Sequence, residues 1–230
     1  MLYGSKKGFS KPELLLDRSG NIMHTGRYWD PVARKHTSGK GPGSRAYSAL
    51  PLDWDADGDL DLIVGTNHGG LFLRVNEGTR KQPAFAEKVV ALRAGKSDAK
   101  VPGGYAMPVA ADWDGDGRWD LISGSQDATV YWFRNVGKAG KPNLEAPRKL
   151  IVGAKQRKGG PATRAQVAVT DFDGDGDMDL LVGDNSYKKV DGKYVWHGWI
   201  WLYRRVGQPQ VSTEPASAAR PKPAKESAKR

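Results

Sequence analysis

An all-β fold built from four-stranded antiparallel blades is what this sequence predicts, on three observations. The nine-residue phrase D-x-D-x-D-G-x-x-D occurs three times, as DWDADGDLD at 53–61, DWDGDGRWD at 112–120 and DFDGDGDMD at 171–179. The first aspartates, Asp53, Asp112 and Asp171, are separated by 59 residues in both intervals. Each copy stands between short apolar runs, and no segment carries a helical period over about twelve residues. A motif repeated at a fixed interval belongs to a repeated supersecondary unit.

The unit can be read in order. A strand-like run precedes each phrase: AYSALPLD at 46–53, YAMPVAAD at 105–112 and AQVAVTD at 165–171. A second apolar run follows it, as DLIVG, DLISG and DLLVG, ended by Gly65, Gly124 and Gly183. The third run is LFLRVNEG, VYWFRNVG and IWLYRRVG, closing at Gly78, Gly137 and Gly207. A fourth is expected at FAEKVVAL (85–92) and APRKLIV (146–152). Four short strands with turn chemistry between them describe one blade of a β-propeller.

The phrase itself reads as a calcium loop. Calcium takes about six to eight oxygen ligands, and alternating carboxylates on a short loop can supply most of them. Positions 1, 3, 5 and 9 are aspartate in every copy: Asp53, Asp55, Asp57 and Asp61; Asp112, Asp114, Asp116 and Asp120; Asp171, Asp173, Asp175 and Asp179. Position 7 is Asp59, Arg118 and Asp177. An arginine side chain cannot ligate a cation, so this position is expected to offer its backbone carbonyl. Position 6 is glycine throughout (Gly58, Gly117, Gly176), as a loop wrapping an ion requires. The motifs lack cysteine and histidine, which disfavours zinc and copper. The alternative is a set of ordinary solvated Asp-Gly turns. Three matched copies of mutually repelling carboxylates argue against that. An EF-hand would need glutamate at position 12 and a following helix, whereas position 12 is Val64, Ser123 and Val182 on strand-like runs.

These residues resemble the FG-GAP or VCBS-type repeats of integrin-α-like β-propellers, over roughly residues 1–207. The resemblance implies a calcium-binding loop joining the first two strands of a blade. It points to several roles: adhesion, ligand binding or part of a carbohydrate-active enzyme. Residues 1–20 resemble the third and fourth strands of a partial first blade, with calcium-loop repeats starting near 46, 105 and 164. The last unit stops after its third strand, and closed propellers have at least about four blades. The expectation is an incomplete propeller, with further blades from a longer chain or an oligomer.

Two insertions break the repeat. Gly58 to Gly78 and Gly117 to Gly137 are each 20 residues apart, but Gly176 to Gly207 is 31. The excess lies in residues 184–199, which contain Tyr187, Lys188, Lys189, Tyr194, Trp196, His197 and Trp199. Aromatic rings beside cations suit a glycan or a protein partner. The competing reading is a longer hairpin whose aromatics pair across strands. That insertion is the second in chain order; the first, residues 21–45, carries His24, Tyr28, Trp29, Arg34 and His36.

The chain has 230 residues, no cysteine and a net charge of +10. Part of that charge sits in a Pro/Ala/Lys-rich tail, 208–230, expected to be disordered. The rest is scattered, so nucleic acid is not the expected partner, and no apolar run is long enough for a membrane span. No signal peptide is visible, yet loops of this kind suit millimolar calcium, which favours an extracellular or periplasmic setting. The expected function is a non-catalytic calcium-binding propeller module for interaction or scaffolding. The alternative is the propeller portion of an enzyme such as a polysaccharide lyase. For that chemistry the sequence offers one cluster, His197 with Lys188, Lys189 and Arg204.

Overall fold

The computed structural model describes residues 14–21, 23, 28–30, 34–37, 46–154 and 160–206. The start of the expected partial blade, His24 and most of the first insertion, Gly207 and the 208–230 tail lie outside the described residues. So do the side chains of Lys188 and Lys189. The described residues form strands and turns, with no helix among them. Inside the first insertion, β1 (Tyr28–Asp30) and β2 (Lys35–Thr37) make a small antiparallel hairpin.

Three sheets follow. The first holds β3 (Ala46–Leu52), β4 (Asp61–Thr66), β5 (Leu71–Arg74) and β6 (Val90–Ala91) in sequence order. A short ribbon, β7 (Arg93–Ala94) with β8 (Ser97–Asp98), leads out of it. The second sheet is again a four-stranded meander: β9 (Met107–Ala111), β10 (Asp120–Gly124), β11 (Val130–Phe133) and β12 (Arg148–Ile151). The third has β13 (Gln166–Thr170), β14 (Asp179–Val190) and β15 (Lys193–Tyr203), with no fourth strand among the described residues. All pairings within these sheets are antiparallel and none of the sheets closes on itself, the pattern of incomplete propeller blades.

Alternation along the central strands places the core. Leu121 of β10 and Tyr131 and Phe133 of β11 join one buried cluster, with Leu52, Trp54, Ile63 and Leu71 of the first unit. Their neighbours Ile122, Val130 and Trp132 join a second cluster, with Val167, Leu180 and Val182 of the third. The middle sheet is therefore covered on both faces. That is why β10 and β11 read as unbroken apolar runs, with all nine residues buried.

Sequence reading places the repeated glycines at strand ends, and Gly65 instead lies inside β4. Its role is close approach. A Cβ on Gly65 would fall 2.2 Å from the carbonyl oxygen of Ala106, and one on Gly124 would fall 2.0 Å from that of Ala165. Each glycine lets the backbone of the next unit pack directly on the sheet. The expected fourth strand of the first unit is also shorter than FAEKVVAL. The carbonyls of Ala86 and Glu87 accept hydrogen bonds from the buried Arg74 guanidinium, each at 2.9 Å, instead of pairing with β5.

Gly124→Ala should therefore push the second and third sheets apart and cost about 1–3 kcal/mol. Gly183→Ala, whose Cβ would find its nearest neighbour at 3.8 Å, should leave the melting temperature nearly unchanged. Thermal denaturation of the two variants checks this, and equal losses would contradict the close-approach argument.

Candidate metal centre

Each aspartate phrase forms the turn between the first and second strands of its sheet, and the three turns are stitched alike. The position 1 carboxylate accepts from the position 6 glycine N–H: Asp53 from Gly58 at 3.2 Å, Asp112 from Gly117 at 2.9 Å and Asp171 from Gly176 at 3.1 Å. The position 5 carboxylate accepts from the position 7 N–H: Asp57 from Asp59 at 3.1 Å, Asp116 from Arg118 at 3.1 Å and Asp175 from Asp177 at 2.9 Å. The position 6 glycines have φ of 97°, 82° and 92°, the left-handed region the sharp reversal demands.

This folding gathers carboxylates. Oxygens of Asp53, Asp55 and Asp57 lie within 4.8 Å of one another, as do those of Asp112, Asp114 and Asp116, and those of Asp171, Asp173 and Asp179. Three aspartate clusters that could hold a metal ion are thus present. The donor sets are all oxygen, and several of those oxygens are orphaned. Within these clusters Asp53 Oδ1, Asp55 Oδ1 and Asp114 Oδ1 are buried with no hydrogen-bond partner, as is Oδ1 of the neighbouring Asp59. Buried unpaired acceptors are costly, and a hard cation would satisfy them. The residues present therefore fit such an ion.

Position 9 has a second task that sequence reading missed. Asp61 Oδ2 accepts from the Trp54 N–H at 3.3 Å, and its Oδ1 accepts from the Asn76 N–H at 2.7 Å. Asp120 repeats this with Trp113 at 3.3 Å and Asn135 at 2.6 Å, and adds the Trp132 indole N–H at 2.9 Å. Asp179 does so with Phe172 at 3.0 Å and Arg205 at 2.8 Å. The carboxylate ties the start of the loop to the end of the third strand. The side chains of Asn76 and Asn135 continue the brace: Asn76 Oδ1 accepts from Gly78 and Ala84, and Asn135 Oδ1 from Gly137 and Asn143. Their trace in the sequence is N-x-G at the same place in two units.

Electrostatics follow burial. Burial pushes the Asp61 carboxyl up to about 6 against the pull of the Asn76 N–H, and pushes Asp120 up to about 6 in the same way. Burial, then the neighbouring Asp57, also raises Asp55 and Asp59. Arginines intrude on the other two loops. Arg118 bonds Asp116 through its guanidinium, and its Nε donates to the Asn135 carbonyl at 2.8 Å. Arg134 Nε donates to Asp114 Oδ2 at 2.5 Å, and Arg204 Nε lies 3.2 Å from Asp173 Oδ2.

The second insertion is a hairpin extension of the third sheet. β14 and β15 run in unbroken register from Leu180–Tyr203 to Val190–Lys193, and Asp191 and Gly192 make the turn. It therefore projects from the end opposite the aspartate loop. The aromatics pair across strands: Tyr187 stands opposite Trp196 with ring centroids 5.1 Å apart, and Tyr194 meets Tyr187 edge-on at 5.3 Å. They stay exposed nonetheless, at 59% for Tyr187, 64% for Tyr194 and 63% for Trp196. Trp199 lies nearer the sheet and is also exposed. The expected cluster of His197 with Arg204 is not assembled. Arg204 pairs with Asp173 at the loop end, seven residues along the chain and about 23 Å away at ~3.3 Å per residue.

Meandering antiparallel sheets of three or four strands stacked face to face, each with an aspartate loop between its first two strands, define a propeller-type repeat protein. The chain belongs to the FG-GAP-like repeat family, whose profile matches residues 53–123 and 112–182. The two matches start at Asp53 and Asp112 and overlap at the second loop, so the matched unit runs from one aspartate loop into the next sheet. No curated protein matches the chain. Among the described residues no helix is long and apolar enough to cross a membrane.

The raised carboxyls give a pH prediction for the ion-free chain. When folded, Asp61 and Asp120 hold their protons up to about pH 6; when unfolded, they release them near the ordinary aspartate value of about 3.9. The folded state binds more protons in that window, so stability falls as pH rises from about 4 to about 6, on the order of 2–3 kcal/mol per group. Melting in chelator should be lower at pH 7 than at pH 5, and Asp120→Asn should narrow the difference. A higher melting temperature at pH 7 would contradict the burial argument.

Proposed function

We propose that the chain is a non-catalytic, calcium-binding propeller module that serves extracellular or periplasmic interaction. Calcium at the three loops holds the blades together, and the hairpin of residues 184–199 meets a glycan or protein ligand. The observation that carries the ligand reading is the aromatic platform of Tyr187, Tyr194 and Trp196. These are three large rings joined through Tyr187, each more than half exposed, on a projection that among the described units the third alone has. Contiguous exposed aromatics of this kind mark interaction surfaces, and planar rings stack on sugar faces or on partner side chains. The calcium reading is supported by the all-oxygen clusters and their orphaned buried oxygens. Position 7 contributes a backbone carbonyl in this reading, at Asp59, Arg118 and Asp177. The outer setting follows from the millimolar calcium available there.

A further blade, from a longer chain or a second copy, would seat on the third sheet. Ile200 is 81% exposed, while Leu71 and Val130 at the equivalent place in the other units are fully buried. Gly183 keeps the glycine that admits a neighbour's backbone in the other two units.

Two measurements test the proposal. Calcium at tenfold excess over its dissociation constant should add about 1.4 kcal/mol per site, so chelator should lower the melting temperature without creating a second ordered state. Equal melting with and without chelator would overturn the calcium reading. Shortening residues 184–199 to the length found in the first two units should leave folding intact and abolish binding on a glycan array or to a captured protein ligand. If the intact chain binds neither class, or the shortened chain binds equally well, the hairpin is structural.

A further inference from the structure

We propose that the three loops do not take calcium equally. The first loop is the strong site and the second the weak one, because arginines already hold the second loop's carboxylates. The inference rests on the calcium reading above and concerns how this chain's own residues grade it.

The first loop carries five carboxylates, Asp53, Asp55, Asp57, Asp59 and Asp61, of which Asp53, Asp55 and Asp57 are gathered, and among the described residues no ion pair reaches any of the five. Asp59 is only 7% exposed, and its Oδ1 has no hydrogen-bond partner. It lies close enough to Asp57, Asp55 and Asp53 to feel the charge of all three. Asp53 Oδ1 and Asp55 Oδ1 are also buried and unpartnered. The residue after β5 that could have sent a cation into this loop is Val75, and the Arg74 guanidinium donates to the Ala86 and Glu87 carbonyls. Gly140 of the second unit packs on the loop's backbone, where a Cβ would fall 2.9 Å from the Asp55 carbonyl oxygen. The site is thus concentrated, negative and partly sheltered.

The second loop has the same aspartates at positions 1, 3, 5 and 9 but exchanges the position 7 carboxylate for Arg118. Arg118 bonds Asp116, and Arg134 bonds Asp114 at 2.5 Å with its second nitrogen 3.6 Å from Asp116. Two of the three gathered carboxylates therefore carry charge-assisted hydrogen bonds within the protein. Arg205 adds a third guanidinium at the rim, donating to the Trp113 carbonyl at 2.8 Å and stacking 4.7 Å above its ring. A cation entering this loop displaces or shares those bonds and meets nearby positive charge. The third loop stands between the two: five carboxylates and a single guanidinium, Arg204 on Asp173. The difference is written at two places: position 7, where Asp59, Arg118 and Asp177 are equivalent, and the residue after the third strand, where Val75, Arg134 and Arg204 are equivalent. The second loop is closed from within, so its shape does not depend on an ion.

The test is a calcium titration of the stripped full chain, with native mass spectrometry counting ions and calorimetry giving the affinity of each step. Ions should load in graded steps, with Asp55→Ala abolishing the tightest and Asp114→Ala the weakest. The double variant Arg118→Asp with Arg134→Val copies the residues of the first unit, and it should strengthen the weakest step at least about tenfold, or about 1.4 kcal/mol. Val75→Arg, a change at a half-buried position that spares every aspartate and copies the arginine of the other two units, should weaken the tightest step and keeps the test valid if Asp55→Ala fails to fold. Three indistinguishable steps, or a double variant that leaves the weakest step in place, would overturn the grading alone. A chain that binds no calcium at all would overturn the underlying calcium reading instead.

Discussion

The architecture depends on one contact made three times: a buried aspartate carboxylate that accepts backbone N–H groups from two places at once. Asp61, Asp120 and Asp179 each close the turn that precedes their strand and capture the end of the third strand. Neither set of amides has a ladder partner there, and burying them unpaired would cost about 1–3 kcal/mol each. The carboxylate resolves this, but burial raises its own proton affinity, up to about 6 in the first two units. The fold thus concentrates negative charge at one end of every sheet as a condition of closing the turn. A cation-ready loop follows from that arrangement.

Packing between sheets obeys a second constraint, propagated by period-2 alternation. In the middle sheet Leu121 faces one neighbour and Ile122 the other, so the sheet has no wet face. Such sheets approach closely only where a side chain is missing, and Gly65 and Gly124 provide those gaps against Ala106 and Ala165. The same logic explains the exposed Ile200. It occupies a site buried in the other units, on a sheet with a described neighbour on one side only.

Against this regular background the units differ at their two ends. At the loop end the variation is in charge: Asp59, Arg118 and Asp177 at position 7, and Val75, Arg134 and Arg204 after the third strand. At the opposite end the variation is in length, where the third unit extends two strands into a hairpin capped by aromatic pairs. Neither change touches the inter-sheet clusters. A repeat scaffold can vary its ends freely because its core lies between the sheets.

The sequence by itself determined the all-β class, the repeat length and the aspartate loops. These are local signals: an Asp-Gly turn needs particular residues at fixed offsets, and alternation along a strand is visible in one dimension. It also located the hairpin insertion, through the interval from Gly176 to Gly207. It did not distinguish a ligand loop from paired strands, because the register of Tyr187 with Trp196 is a property of two segments together. Only the tertiary structure decided that Arg134 lies on Asp114, twenty residues away, while Arg74 turns to Ala86 and Glu87. It alone separated Arg204, which lies just past the end of β15 against Asp173, from His197 in the middle of that strand. Side-chain direction on a twisted sheet depends on which neighbour buries which face, and that information lies between units and is absent from any one of them.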